Sequence, residues 1–202
     1  YHSTNMQENN MDKFLKYLPH PIFVGVMAAF IPLAQQLTGG YIIAWAGFAA
    51  CACYFIAGCT IKDGINVLAC WAAGAAASMS IFWGFGALTA EGMAWNPTVA
   101  LCFCTGFVTF LAMFFENAKF LQLIPQWFIG AACMFAFHSL AGATATAANP
   151  ASYLDSGVRV VLSCAVGQTV ACVIAIGRTK YAAMMAAGSD TDDSTDAEPE
   201  AA

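Results

Sequence analysis

The chain has 202 residues, of which 60% are hydrophobic and only 9% are charged, and its formal net charge is −5. A soluble domain needs more polar surface than this, so the composition excludes a soluble globular protein and indicates an integral membrane protein. The apolar residues form continuous runs, whereas a β-barrel needs short stretches of alternating polarity. We therefore expect an all-α protein that contacts the lipid bilayer and has no nucleic acid partner.

Six apolar segments are candidates for crossing a bilayer, because a helix of about 20 residues spans roughly 30 Å of hydrocarbon. They follow a polar N-terminal segment, residues 1–21, and precede an acidic tail, residues 187–202, which has no apolar face and is expected to be disordered. The tail is either a solvated extension or a segment that binds a protein partner. The predicted spans are residues 22–38, 40–60, 65–88, 97–115, 120–142 and 157–177.

Two of these segments carry the same motif. Residues 45–55 read WAGFAACACYF and residues 127–137 read WFIGAACMFAF, so Trp, Ala-Ala-Cys and Phe recur at one spacing. The motif predicts a duplication into two three-helix repeats, residues 22–88 and 97–177. Because each repeat has an odd number of spans, the two copies face opposite ways across the membrane, as a 3+3 inverted repeat. The alternative is chance similarity between Ala-rich helices.

The positive charges indicate an orientation, because Lys and Arg are retained on the cytoplasmic side of a membrane. With six spans, only Arg159 falls on the opposite side from the other six Lys and Arg residues. We therefore expect both termini in the cytoplasm, with the protein in a plasma, inner or organellar membrane. The six residues on the cytoplasmic side are Lys13, Lys16, Lys62, Lys119, Arg178 and Lys180.

The two motifs resemble a known family. WAGFAACACYF and the stretch IPQWFIGAACMFAF are similar to the most recognisable parts of the YcdZ-type family of small bacterial inner-membrane proteins, a domain of unknown function. The resemblance runs from about Val24 to Ala175 and implies a small membrane protein with several spans. It transfers no catalytic or binding residue, because the family has no assigned activity. This chain departs from the family in its cysteine content, the loop at 143–156 and its acidic tail.

Three residues are candidates for the lining of a pore. Phe55 and Phe137 occupy the same position in the two motifs, and paired aromatic rings can form an apolar constriction. His138 is the only ionisable residue deep in any predicted span, which makes it a functional candidate. The alternative for His138 is a neutral imidazole hydrogen-bonded to a neighbouring helix. If it lines a path, its protonation would make transport depend on pH.

Small residues at helical spacing predict close contacts between helices. The third span has such residues four positions apart, and the fifth span has a glycine inside its motif. Since six short helices can hardly enclose a wide cavity, we also expect a homo-oligomer. The candidate helix-packing residues are Gly74, Ser78, Ser80, Gly84 and Gly130.

The remaining motifs point to no cofactor. Nine cysteines lie in or beside the spans without CxxC or His/Cys ligand spacing, so we expect no metal. Asn96-Pro97 and Asn149-Pro150 are ordinary helix-start or turn combinations, although the small and weakly polar stretch at 139–157 could fold as a half-helix over one mouth of a pore.

Transport without an energy source is the function that these features favour. No Gly-rich nucleotide loop is present, and no Asp or Glu at bilayer depth suggests an ion-coupled relay. We expect a passive membrane channel or facilitator for a small neutral or weakly acidic solute. The alternative is a non-transporting structural or accessory subunit of a larger membrane complex. An enzyme is not expected, because the spans lack clustered ionisable groups.

Overall fold

The computed structural model describes residues 18–140 and 150–192, and in these ranges it contains helices and no strand. The all-helical expectation is therefore confirmed for the described part of the chain. A single 3₁₀ turn, Phe114–Asn117, follows the fourth helix. The six helices are α1 (Pro19–Leu37), α2 (Ala44–Ala57), α3 (Ile61–Thr89), α4 (Pro97–Met113), α5 (Ile124–Leu140) and α6 (Pro150–Asp192).

Three helices are long and apolar enough to cross a membrane: Pro19–Leu37, Ile61–Thr89 and Ser152–Ala186. The other three are shorter, with 14 residues in α2 and 17 each in α4 and α5. At a rise of about 1.5 Å per residue, the 17-residue helices span roughly 26 Å. The chain is thus a membrane-like helical protein.

Helix α6 is the main departure from the sequence-based boundaries. It begins at Pro150 and ends at Asp192, whereas the predicted span covered 157–177. Residues 150–157, expected in a loop or half-helix, are the first turns of α6, because proline is compatible with the first turn of a helix. The helix also enters the tail range that was expected to be disordered. Residues 1–17, 141–149 and 193–202, including Lys13 and Lys16, lie outside the described part.

Helix α3 runs parallel to α5. The Cys70 thiol donates to the Phe120 carbonyl at 3.6 Å, and the Ser78 hydroxyl donates to the Ala131 carbonyl at 3.2 Å. Contacts therefore advance along both helices in the same direction.

Helix α2 runs parallel to α6 in the same way. The Ile43 amide donates to the Ser163 hydroxyl at 2.8 Å, and the Cys51 thiol donates to the Gly167 carbonyl at 2.9 Å. The two parallel pairs are antiparallel to each other, since the rings of Phe82 and Tyr153 stack with centroids 5.6 Å apart near the end of α3 and the start of α6.

The outer helices each cover one member of these pairs. Helix α1 is antiparallel to α6: the His20 and Tyr181 rings stack at 5.9 Å, and Ile31 packs on Val170 further along. Helix α4 packs mainly against α3 and has almost no contact with α5 in the described part. The two outer helices therefore differ in packing, because α4 contacts mainly one helix of its pair.

These directions place the described positive charges at two ends of the bundle. Lys62, Lys119, Arg178 and Lys180 lie toward one end, which we call the lysine end. Arg159 lies toward the other end, where its guanidinium is 2.8 Å from the Asp155 carboxylate. The start of α1 and the end of α6 both lie at the lysine end.

Candidate functional site

Two glycines bring α3 and α5 into backbone contact. A methyl group added at Gly130 would lie 2.7 Å from the Trp71 carbonyl oxygen and 2.8 Å from its Cα. A methyl group at Gly74 would lie 2.9 Å from the Ala131 amide nitrogen and collide with the Trp127 carbonyl oxygen. Real Cβ atoms do not come this close, so only glycine fits at either position.

An equivalent crossing joins α2 and α6. A methyl group at Gly167 would collide with the carbonyl of Gly47, and one at Gly47 would lie 2.8 Å from the Ile31 side chain. Gly47 and Gly167 were not among the packing residues predicted from the sequence. The signal was present, because Ser163 and Gly167 are small residues four positions apart.

The other predicted packing residues have different surroundings. Ser78 is fully buried and bonds across to α5. Gly84 faces α4, where an added methyl would lie 3.2 Å from the Cys104 sulfur. Ser80 is exposed, and its hydroxyl donates to the Ala76 carbonyl of its own helix at 3.0 Å. Ser80 thus makes no hydrogen bond to another helix within the described residues.

The space between the two parallel pairs is filled. Trp71 and Met134 are fully buried there and are among the largest side chains of the core, with Cys53 and Cys164 beside them. This packing closes the centre of the bundle in the conformation described.

Polar atoms are nevertheless buried along α3 and α5. Asn66 is 6% exposed and Gln126 is 3% exposed. Four buried side-chain atoms on these two helices have no hydrogen-bond partner within the described structure, although buried polar groups are normally satisfied. They are Asn66 Oδ1, Trp71 Nε1, Gln126 Oε1 and His138 Nδ1.

His138 belongs to an aromatic cluster near the Arg159 end. Its ring centroid is 4.4 Å from that of Phe82 and 5.3 Å from that of Tyr153. The neighbouring Phe137 is partly buried and packs against the main core. Phe55 is different: its ring is 40% exposed, and it contacts the adjacent Tyr54 ring at 6.2 Å. The two motif phenylalanines therefore have different surroundings.

A cavity of about 230 Å³ lies between α3, α4 and α5, on the side where α4 stands away from α5. Its lining is nearly all apolar and includes Ile81, Trp127 and Phe135. Helix α4 contributes two hydroxyl-bearing residues, Thr105 and Thr109. No sequence pattern predicted it, because it depends on the gap between two helices.

Within residues 18–140 and 150–192, no three His, Cys, Asp or Glu side chains are grouped so as to hold a metal ion. The nine cysteines, Cys51 to Cys172, are free thiols, and five of them are buried. Their chemical role in the described bundle is that of small apolar side chains and, at Cys51 and Cys70, weak hydrogen-bond donors.

Comparison with known proteins gives one finding. No curated protein and no solved structure matches the chain. A family model described as "Protein of unknown function (DUF1097)" matches residues 21–175, which include both tryptophan motifs and the greater part of all six helices. The chain therefore belongs to this family.

Proposed function

We propose that the protein is a passive facilitator for a small neutral or weakly acidic solute, built as two inverted three-helix repeats. The observation that carries the proposal is the set of unpartnered polar atoms buried along α3 and α5. In a membrane such atoms are costly, and polar groups inside a helix bundle are typical of solute pathways. A solute with hydrogen-bonding groups would satisfy them in turn.

The directions of the helices support the inverted repeat. In such a repeat α1, α2 and α3 correspond to α4, α5 and α6, with opposite sense. The parallel pair formed by α2 and α6 then corresponds to the pair formed by α5 and α3. In the same way, the close crossing at Gly47 and Gly167 corresponds to the one at Gly130 and Gly74. The antiparallel packing of α1 on α6 likewise corresponds to that of α4 on α3.

The closed centre of the bundle would have to open for a solute to pass, and Trp71 is the candidate gate. Trp71 is fully buried in the core between the two parallel pairs and is its largest side chain. We propose that solute passes when the indole moves aside, as in other apolar constrictions. The exposed position of Phe55 favours Trp71 over the motif phenylalanines for this role.

A permeability assay tests the function. The full chain is reconstituted in liposomes, and swelling is followed by stopped-flow light scattering with water, glycerol, urea and acetic acid. We expect permeability above that of protein-free liposomes for at least one solute. Trp71→Phe, which shortens the gate and keeps the backbone contact with Gly130, should raise it by about a factor of two or more. Trp83→Phe is the matched control, because Trp83 is 58% exposed on the same helix.

The second candidate is a non-transporting accessory subunit, and a specific surface favours it. The outward face of α4 carries exposed aromatic side chains at helical spacing, to which another membrane helix could bind. If folded protein gives no permeability for any solute, and Trp71→Phe adds none, this candidate replaces the facilitator. The exposed residues are Phe103, Phe107 and Phe110.

We also propose a membrane orientation, an oligomeric state and a family relationship for the chain. The positive charges at the lysine end favour a cytoplasmic location for that end and for both termini. The aromatic face of α4 is also available for a homo-oligomer. The tryptophan motifs favour kinship with the YcdZ-type inner-membrane proteins.

A further inference from the structure

The α3–α4–α5 cavity has the size and chemistry of a ligand site. Its volume is about 230 Å³, and a dry apolar cavity of roughly 150 Å³ is already large enough to bind benzene. The lining is apolar apart from a few polar groups, which is the usual character of a small-molecule site. The cavity is separate from the buried polar atoms on which the proposed function rests.

The corresponding groove on the other side of the bundle is filled at the level of Gly47. There α1 packs on α6 beside α2, and the Ile31 side chain is fully buried against Val170 and Ile174. The Ile31 Cγ2 atom also closes the space above Gly47. The side chain of Ile31 thus fills this level of one groove, whereas the groove beside α4 contains the cavity.

Helix α4 lines the cavity with both apolar and hydroxyl-bearing residues, and Val108 and Met113 are among the apolar ones. Thr105, Thr109 and Ala112 line the cavity from this helix. Thr105 and Thr109 are one turn apart, so their side chains lie on the same face of α4. Two hydroxyls in an apolar wall can fix the orientation of a ligand that carries one hydrogen-bonding group.

We propose that this cavity binds one small, mostly apolar molecule that carries a hydroxyl or carbonyl group and enters from the bilayer between α4 and α5. The apolar part takes the place that Ile31 fills on the other side. The polar group hydrogen-bonds to Thr105 or Thr109. The site does not depend on permeation, so it would persist if the facilitator proposal failed.

Photolabelling tests the site directly. The full chain in phosphatidylcholine liposomes is irradiated with a diazirine-bearing 1-octanol, and labelled residues are mapped by peptide mass spectrometry. We expect label on cavity residues of α4 and α5, displaced by excess 1-octanol more effectively than by n-octane. Ala112→Leu should lower this labelling at least about fivefold, because the larger side chain fills the space. Ala29→Leu, at an exposed position on α1, should leave it unchanged.

Thr109→Val separates the role of the hydroxyl from that of the volume. It should reduce the advantage of 1-octanol over n-octane as competitor while the protein stays folded, which circular dichroism checks. Label spread equally over outward residues such as Phe107 and Phe110, with no response to Ala112→Leu, would overturn the proposal. So would labelling of the cavity by a diazirine-bearing phospholipid that 1-octanol does not displace, because the occupant would then be a lipid chain.

Discussion

Gly167 of α6 lies directly against the backbone of Gly47 of α2, so that a methyl group on Gly167 would be 2.8 Å from the Gly47 Cα. On the opposite parallel pair, Gly74 lies against Trp127 and Gly130 lies against Trp71. These close approaches together fix how the four central helices cross. The separation of these helices is thus set by the absence of side chains at four positions.

Gly167→Ala should destabilise the fold by about 1–3 kcal/mol, because overpacking a tight contact forces the backbones apart. Gly106→Ala is the matched control, since no atom lies within 4 Å of an added methyl there. Alanine in place of glycine within a helix should leave the control equal or slightly more stable. Unfolding in mixed micelles, followed by circular dichroism against rising sodium dodecyl sulfate, measures both. Equal stability of the two variants would contradict the close crossing.

Ser163→Ala should also destabilise, by about 1–3 kcal/mol, because it leaves a buried amide without an acceptor. The Ser163 hydroxyl accepts from the Ile43 amide at 2.8 Å and donates to the Arg159 carbonyl at 2.6 Å. Ser80→Ala serves as control, since that exposed hydroxyl bonds only within its own helix. The same unfolding titration applies. A loss no larger than that of the control would show that α2 does not depend on this bond.

The ion pair between Asp155 and Arg159 should contribute little to the stability of the fold. Asp155 and Arg159 are one turn apart on α6, and their side chains are 50% and 31% exposed. Exposed pairs of this kind contribute about 0–1 kcal/mol. Asp155→Asn should therefore shift the unfolding midpoint by less than either preceding variant. A larger effect would mean that the stacking of Arg159 over the Tyr41 ring depends on this carboxylate.

His138 should give any flux a dependence on pH. Within the facilitator proposal, its protonation places a charge next to Phe82 and Tyr153 and opposes passage of a neutral solute. Flux through the wild type should therefore fall at acidic pH, once His138 takes up a proton. His138→Gln should remove this fall and keep a hydrogen-bonding side chain. Unchanged flux and an unchanged pH profile in the variant would exclude His138 from the path.

The sequence predicted the helices better than their ends or their partners. Asn96-Pro97 was correctly interpreted as a helix start, and the Asn96 side chain accepts from the Thr98 amide at 3.0 Å. The same dipeptide at Pro150 was assigned to a loop, although α6 begins there. The local signal was identical, but the apolar pattern around Pro150 is weaker, so hydropathy alone placed the boundary too late.

The sites that depend on tertiary contacts were harder to predict from the sequence. Gly74 was identified from small-residue spacing and Gly130 from its place in the repeated motif, whereas Gly47, which lies in the other copy of the motif, was not identified. The α3–α4–α5 cavity was missed entirely. Its existence depends on α4 standing away from α5, and no single helix encodes that gap in its own residues.

Residue accessibility from each side of the membrane tests the central claim, that the halves are inverted. Single cysteines replace Leu37, the last residue of α1, and Lys119, which follows α4 and its 3₁₀ turn, in a background with the exposed Cys59 and Cys102 changed to Ser. A membrane-impermeant maleimide is then applied to intact cells and to inverted vesicles. We predict that Leu37→Cys reacts only from outside and Lys119→Cys only from the cytoplasmic side, as equivalent turns of inverted repeats must. Reaction of both from the same side would contradict the account.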